Sequence, residues 1–350
     1  MMWEKFFPQG TTVMALPDWD KPKLYLPSKS LYQRWKGSSL CPTPQHPKTS
    51  FLPLPSSLCR YLWRAKAAIG LLPLQKASLS EVLPIKEFVG DTIPQFHWMV
   101  MLLGAPGPAQ KITCQLWDAQ SNIVGYLKYS DIPLACQRIE QEYSVLSKIT
   151  QGPKPLKYGS LGTGKALLTS PISGKYIAAK LPPDNRLVQF LQSLILSEPV
   201  PLKDHPWFHN VKDRLEKNLA RSLEALKNRD WPITLQHGDL LPSNLLLTPE
   251  GKICAIDWEY GYLKGFPYMD LTCYILEVSA FYYHWSPSQA MQYVVEFLCQ
   301  PVWPNLTRPE AEAIVRLTAW QSYQQFLKDG HSSADPFQPW LKSVWQCELS

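Results

Sequence analysis

Acidic residues are missing from one long stretch of this chain. Between Lys21 and Ser80 there is no Asp or Glu, against ten Lys and Arg. The 350 residues together carry +6, so everything outside that stretch carries 6 − 10 = −4. The basic character is therefore local, and no nucleic-acid partner is expected. No apolar run reaches membrane-span length, and the N-terminus lacks a basic-then-apolar signal pattern. The eight cysteines are scattered, without C-x-x-C pairs or a histidine at metal-ligand spacing, so neither zinc nor a disulfide framework is indicated. Cys114, Cys254 and Cys273 lie in apolar segments and read as small core residues of a cytoplasmic protein.

What the chain does have is concentrated between His237 and Glu259, HGDLLPSNLLLTPEGKICAIDWE. Asn244 follows Asp239 by five residues, and Asp257 follows Asn244 by thirteen. Phosphoryl transfer from ATP needs a carboxylate at the attacking hydroxyl and oxygen ligands for magnesium. Leu245 to Leu247 and Lys252 to Ile256 read as short apolar strands around a Thr248-Pro-Glu-Gly251 turn. Such a hairpin sets Asn244 and Asp257 side by side, as a hard octahedral cation requires. Asp239 is then the catalytic base or hydroxyl-orienting group, and His237 a brace for the loop.

The same residues resemble the signature of the aminoglycoside phosphotransferase and choline kinase superfamily, which shares H-x-D-x-x-x-x-N with protein kinases. Asp257-Trp-Glu-Tyr260 stands where protein kinases have Asp-Phe-Gly, and no Ala-Pro-Glu follows. Gly265-Phe-Pro-Tyr-Met-Asp270-Leu271 looks like the glycine-to-Asp-Leu closure of the small-molecule branch. The resemblance implies an α+β fold of the bilobal protein-kinase-like type, with a small antiparallel-sheet N-lobe and a mainly helical C-lobe. It also implies ATP and Mg²⁺ as cofactors and a small-molecule hydroxyl acceptor.

On this basis an ATP-binding lobe should precede the loop. Trp98 to Leu103, Lys111 to Trp117 and Ile123 to Tyr129 read as strands, the first two joined by a turn containing Gly104 and Gly107. These glycines would let the backbone approach the phosphates. The resemblance places Lys128 on the α- and β-phosphates. It makes Glu142 its ion-pair partner, on a helix with an Ile139, Tyr143, Leu146, Ile149 stripe; Glu140 is the rival and faces elsewhere. Helices are expected over Arg186 to Leu196, Val211 to Lys227, Leu271 to Tyr283, Ser288 to Leu298 and Pro309 to Phe326.

The expected division is a basic, Pro-rich extension over residues 1–90, a nucleotide-binding segment over 91–172, and a catalytic and acceptor-binding segment over 173–350. Two readings of the extension stay open: a cap on the ATP lobe, or an interfacial segment making weak membrane-surface contact through residues 21–80. Ser57 to Leu72 reads as its helix. The expected activity is ATP- and Mg²⁺-dependent phosphorylation of a small-molecule hydroxyl on an amino alcohol, sugar or aminoglycoside-like compound. The alternative is a catalytically silent, kinase-shaped scaffold. The aromatic run Phe281 to Trp285 reads as core packing before it reads as a cage for a quaternary ammonium.

Overall fold

The computed structural model describes residues 2–16, 20, 22–27, 30–38, 64–65, 69, 73–77, 83–216, 219–301, 306–330, 332–333 and 335–347. Most of the helix expected over 57–72 lies outside these residues. The chain divides into two compact units, one of residues 1–140 and 154–171, the other of 141–153 and 172–350.

The first unit is built on an eight-stranded antiparallel sheet. Its strands are β1 (Thr12–Leu16), β2 (Leu24–Pro27), β3 (Leu74–Lys76), β4 (Trp98–Leu103), β5 (Ile112–Trp117), β6 (Ile123–Ser130), β7 (Pro155–Leu161) and β8 (Gly164–Thr169). Their order across the sheet is β3-β1-β2-β4-β5-β6-β8-β7. Alternation along each strand sends side chains to two cores. Met99, Met101, Cys114 and Leu116 enter one, with Phe6, Phe7, Ile85 and Phe88 packed among them. Trp98, Val100 and Trp117 enter the other, with Met14, Leu16, Leu24 and Leu26.

Residues 1–90 were expected as an extension, yet three of these strands come from them. The reason they escape a sequence reading is burial on both faces: Val13 to Leu16 and Leu24 to Leu26 are all buried, so no polar-apolar alternation marks them. The short helix Leu31–Gly37 closes on the same sheet. A Cβ on Gly37 would lie 2.7 Å from Val100 Cγ2 and 2.9 Å from Leu26 Cδ2, so only glycine permits that approach.

The second unit is mainly helical, and with the sheet of the first it makes the fold α+β, as expected. Its helices include Asn185–Gln192, Met269–Phe281, Pro287–Leu298, Arg308–Lys328 and Phe337–Gln346. Capping boxes start two of them, Ser286 with Gln289 and Thr307 with Glu310. One expectation fails here. The single helix over 211–227 is instead Pro206–Val211, a 3₁₀ turn Lys212–Arg214, and then Ala220–Ala225. Lys212, Asp213, Arg214 and Glu216 are all exposed and Leu215 is only half-buried, so the described part of that stretch has little burial to hold a continuous helix together.

The helix Pro133–Leu146 carries its buried side at Ala135, Ile139, Glu142, Val145 and Leu146. Tyr143, expected on that stripe, is exposed, and Ile149 lies past the helix end. The charged Glu142 takes the buried position, at 1% exposure, whereas Glu140 is exposed. No helix of the described residues is long and apolar enough to cross a membrane.

Candidate active site

The strand Thr234–Gln236 delivers the chain to His237 and pairs with the strand Tyr262–Gly265. Next comes a tight reversal at Gly238, whose φ of +81° disfavours any other residue. A Cβ there would also meet the Tyr260 carbonyl oxygen at 2.6 Å. The loop is pinned from below by Asp270, in the first turn of the helix Met269–Phe281. Its carboxylate accepts the backbone N–H of His237 at 2.6 Å and that of Gly238 at 2.9 Å. Burial pushes the Asp270 carboxyl above the usual carboxylate range; the nearby His237 and the two amides pull it back down.

His237 is fully buried and uses both ring nitrogens within the loop. Nε2 donates to the Ile256 carbonyl at 2.9 Å, and Nδ1 accepts the Asp239 backbone N–H at 3.3 Å. The ring also packs 4.6 Å from the Trp258 ring. With both nitrogens occupied, the imidazole braces two loops and is not placed to carry a proton.

Asn244 does the complementary task. Its Nδ2 donates to the Asp239 carbonyl at 2.9 Å and to Asp239 Oδ2 at 3.0 Å, which fixes that carboxylate and turns the amide oxygen Oδ1 away from it. The hairpin Leu245–Leu247 and Ile253–Ala255 pairs Leu245 with Ala255, closed by a Thr248–Gly251 turn. Past the last pair, Ile256 N donates to the Asn244 carbonyl at 2.9 Å, so Asp257 leaves the ladder beside Asn244. Asp257 does so in left-handed backbone, φ +66°. Strain of this kind costs on the order of 1 kcal/mol and is characteristic of positions held for function.

Asp239, Asn244 and Asp257 thus gather within the second unit, and Glu142 is buried in the same unit. In the first unit, Lys128 lies on β6 between Thr113 of β5 and Leu167 of β8, half-buried. Gly104 and Gly107 lie in the β4–β5 turn. A Cβ on Gly104 would meet the Lys111 carbonyl oxygen at 2.7 Å, and Gly107 has φ of +151°. Among the described residues no group of three or more His, Cys, Asp or Glu could hold a metal ion. A cation here would take protein donors from an amide oxygen and a carboxylate, and the rest from phosphate and water, as suits Mg²⁺.

Two features of the site were not visible in the sequence. Glu277 is 7% exposed on the helix Met269–Phe281, two turns after Asp270 and on the same face. Its carboxyl is pushed well up by burial and then by the Asp239 charge. The seven-residue spacing from Asp270 was the available signal. The other is a tie from Tyr260 to Asp329, 69 residues away, which no local pattern announces.

Residues 177–308 match the Phosphotransferase enzyme family, in agreement with the superfamily to which the His237–Glu259 signature points. No match was found among curated proteins. Among solved structures, the chain is similar to choline kinase LicA of Streptococcus pneumoniae, at 13% identity over 75% of this chain and 95% of that one, TM-score 0.43. It is also similar to an ethanolamine kinase of Plasmodium vivax, at 13% identity over 70% and 81%, TM-score 0.42. An aminoglycoside phosphotransferase of Streptomyces rimosus gives 16% identity over 68% and 96%, TM-score 0.38. At these TM-scores the likenesses bear on neither acceptor nor mechanism.

Proposed function

We propose that this chain, which carries the phosphotransferase family pattern over residues 177–308, is an ATP- and Mg²⁺-dependent kinase of a small-molecule hydroxyl. The observation that carries the reading is the double hydrogen bond from Asn244 to Asp239 at the open end of a hairpin whose other end is Asp257. Asp239, oriented by that bond, takes the proton of the acceptor hydroxyl as the phosphoryl group moves onto its oxygen. Asn244 and Asp257 would hold the Mg²⁺, which would neutralise charge on the phosphates. His237 and Asp270 keep the loop rigid, so the carboxylate is already in position when the nucleotide arrives.

On the nucleotide side, we assign Lys128 to the α- and β-phosphates, Glu142 to its support, and the Gly104–Gly107 turn to close backbone approach. Residues 91–172 then form the nucleotide-binding segment and 173–350 the catalytic and acceptor-binding segment. Glu277 favours the amino-alcohol end of the acceptor range. Its carboxyl is largely buried beside the Asp239 charge, with no hydrogen bond to it among the described residues, and a cationic acceptor would offset the cost of its ionisation. The test is nucleotide binding by thermal shift with and without Mg²⁺, followed by ADP release across a panel of amino alcohols, sugars and aminoglycosides. Absence of any Mg²⁺-dependent nucleotide binding would leave the silent-scaffold alternative standing.

A further inference from the structure

Asp329 is placed where electrostatics disfavour it. It caps the C-terminus of the helix Arg308–Lys328, where the helix dipole is negative, and it is only 5% exposed. Both costs are offset by specific bonds. Tyr260 donates its phenolic O–H to Asp329 Oδ2 at 2.5 Å, and Gln325 Nε2 donates to Oδ1 at 3.1 Å. Tyr260 stays protonated across the physiological range, because burial and the neighbouring Glu259, Asp329 and Asp239 charges all disfavour a phenolate.

The far end of this tie is a junction of two functional loops. Tyr260 lies in the turn that follows Asp257, closed by Gly261 N donating to the Trp258 carbonyl at 2.9 Å. Gln141 Nε2 holds the Gly261 carbonyl at 2.6 Å, and Trp258 Nε1 holds the Ala255 carbonyl at 2.8 Å. The turn is thus fixed on either side of Tyr260, while the Tyr260 side chain reaches across to the end of the helix Arg308–Lys328. The Tyr260 backbone also forms the wall against which Gly238 packs, one residue before Asp239.

We propose that Tyr260 and Asp329 are positioning residues. Through them the helix Arg308–Lys328 fixes both the turn after Asp257 and the wall behind the Asp239 loop. This rests on the phosphotransferase reading above, because it assigns the tie a task only if Asp257 holds a metal. The tie links the turn after Asp257 to the helix Arg308–Lys328, and its proposed task is to hold that turn in place.

The experiment measures ATP affinity of the full chain by calorimetry, with and without Mg²⁺, for wild type, Tyr260→Phe, Asp329→Asn and Asp329→Leu. Tyr260→Phe removes one oxygen and no packing volume. It should lose about tenfold of the Mg²⁺-dependent gain in ATP affinity, leave Mg²⁺-free affinity unchanged, and keep a cooperative melt. Asp329→Asn retains an acceptor oxygen for the phenol and should lose under about threefold; Asp329→Leu should match Tyr260→Phe. If Tyr260→Phe and Asp329→Leu show the wild-type Mg²⁺ gain, whatever their melting temperatures, the tie is only structural and the inference falls. If one of them does not fold, the other decides by the same measurement, and should neither fold the tie is a stability element and the inference falls. If wild type itself shows no Mg²⁺ gain, the failure lies with the phosphotransferase reading.

Discussion

Two β-hairpins, one in each unit, carry the proposed chemistry at opposite ends. In β4–β5 the business end is closed: the turn from Gly104 to Lys111, where Gly104 N bonds to the Lys111 carbonyl at 2.9 Å and Gln110 Nε2 to the Gly104 carbonyl at 3.0 Å. In the hairpin Leu245–Leu247 and Ile253–Ala255 it is the open end, where Asn244 and Asp257 leave the ladder side by side. A closed end offers backbone and glycine space. An open end offers side chains that leave the ladder from its two neighbouring strands. The first suits phosphates approached by main chain, the second suits groups whose identity matters, so substitutions should act on the two hairpins in different ways.

The largest effect should come from the open-end constellation. Asp239→Asn keeps the shape and the Asn244 contact but cannot take a proton. Turnover should fall on the order of 10²–10⁴-fold with nucleotide affinity nearly unchanged, read by ADP release beside calorimetry. Unchanged turnover would remove Asp239 from its role. Asp257→Ala should instead abolish the Mg²⁺-dependent part of ATP affinity, and the two variants together separate the acceptor side from the metal side.

Removing residues 1–80 tests the other unit at its sheet. The deletion takes β1, β2 and β3 and leaves β4 as an open edge beside uncovered Trp98 and Val100. Aggregation or loss of a cooperative melt is expected, as for any long apolar edge strand. A soluble, active truncate that had only lost affinity for anionic vesicles at low salt would restore the interfacial reading of the basic segment.

These expectations show why the two units were unequally legible. The proton transfer and metal binding proposed here constrain residue type and spacing, so Asp239, Asn244 and Asp257 could be put forward from the sequence alone. Asp270 was visible as a motif letter, but its grip on the His237 and Gly238 amides is a contact across 33 and 32 residues. Tyr260 to Asp329 is longer still. In the first unit β4 to β6 were readable from their apolar runs and turns. β1 and β2 were not, since strands buried on both faces lose their alternation, and the charge and proline signals around them pointed to an appendage. The helix expected over 211–227 failed for a related reason: helical spacing of leucines was read without knowing that Lys212, Asp213, Arg214 and Glu216 between them are exposed.

A middle-sized effect sharpens the same contrast. Asp270→Ala leaves two loop amides without their acceptor, at roughly 1–3 kcal/mol each where they stay dry. Chemical denaturation should show the loss, with turnover falling alongside because the Asp239 loop is freed. The two turn glycines then compare closed ends directly. Gly104→Ala meets backbone at 2.7 Å and should weaken nucleotide binding. Gly251→Ala has φ of +76° with nothing within 4 Å, so it should cost about 1 kcal/mol of stability and leave binding intact. Equal effects on binding would break the distinction between the hairpins.

The smallest expected effect is one of slope. Glu277 has a folded-state pKa raised well above its ordinary 4.5, by burial first and then by Asp239. A carboxyl raised in this way holds a proton in the folded state that the unfolded chain has already released. Stability therefore falls as pH rises from the unfolded pKa towards the folded one, the reverse of an ion-paired carboxylate. Glu277→Gln carries no charge at any pH and removes that loss. The variant should melt close to wild type near pH 4 and above it by pH 8, in buffers of matched ionic strength without acceptor. A difference in melting temperature that stays constant over this range would mean that Glu277 is ionised and compensated in the folded protein. The cationic-acceptor preference would then lose its support, while the assignments of Asp239, Asn244 and Asp257 would be untouched.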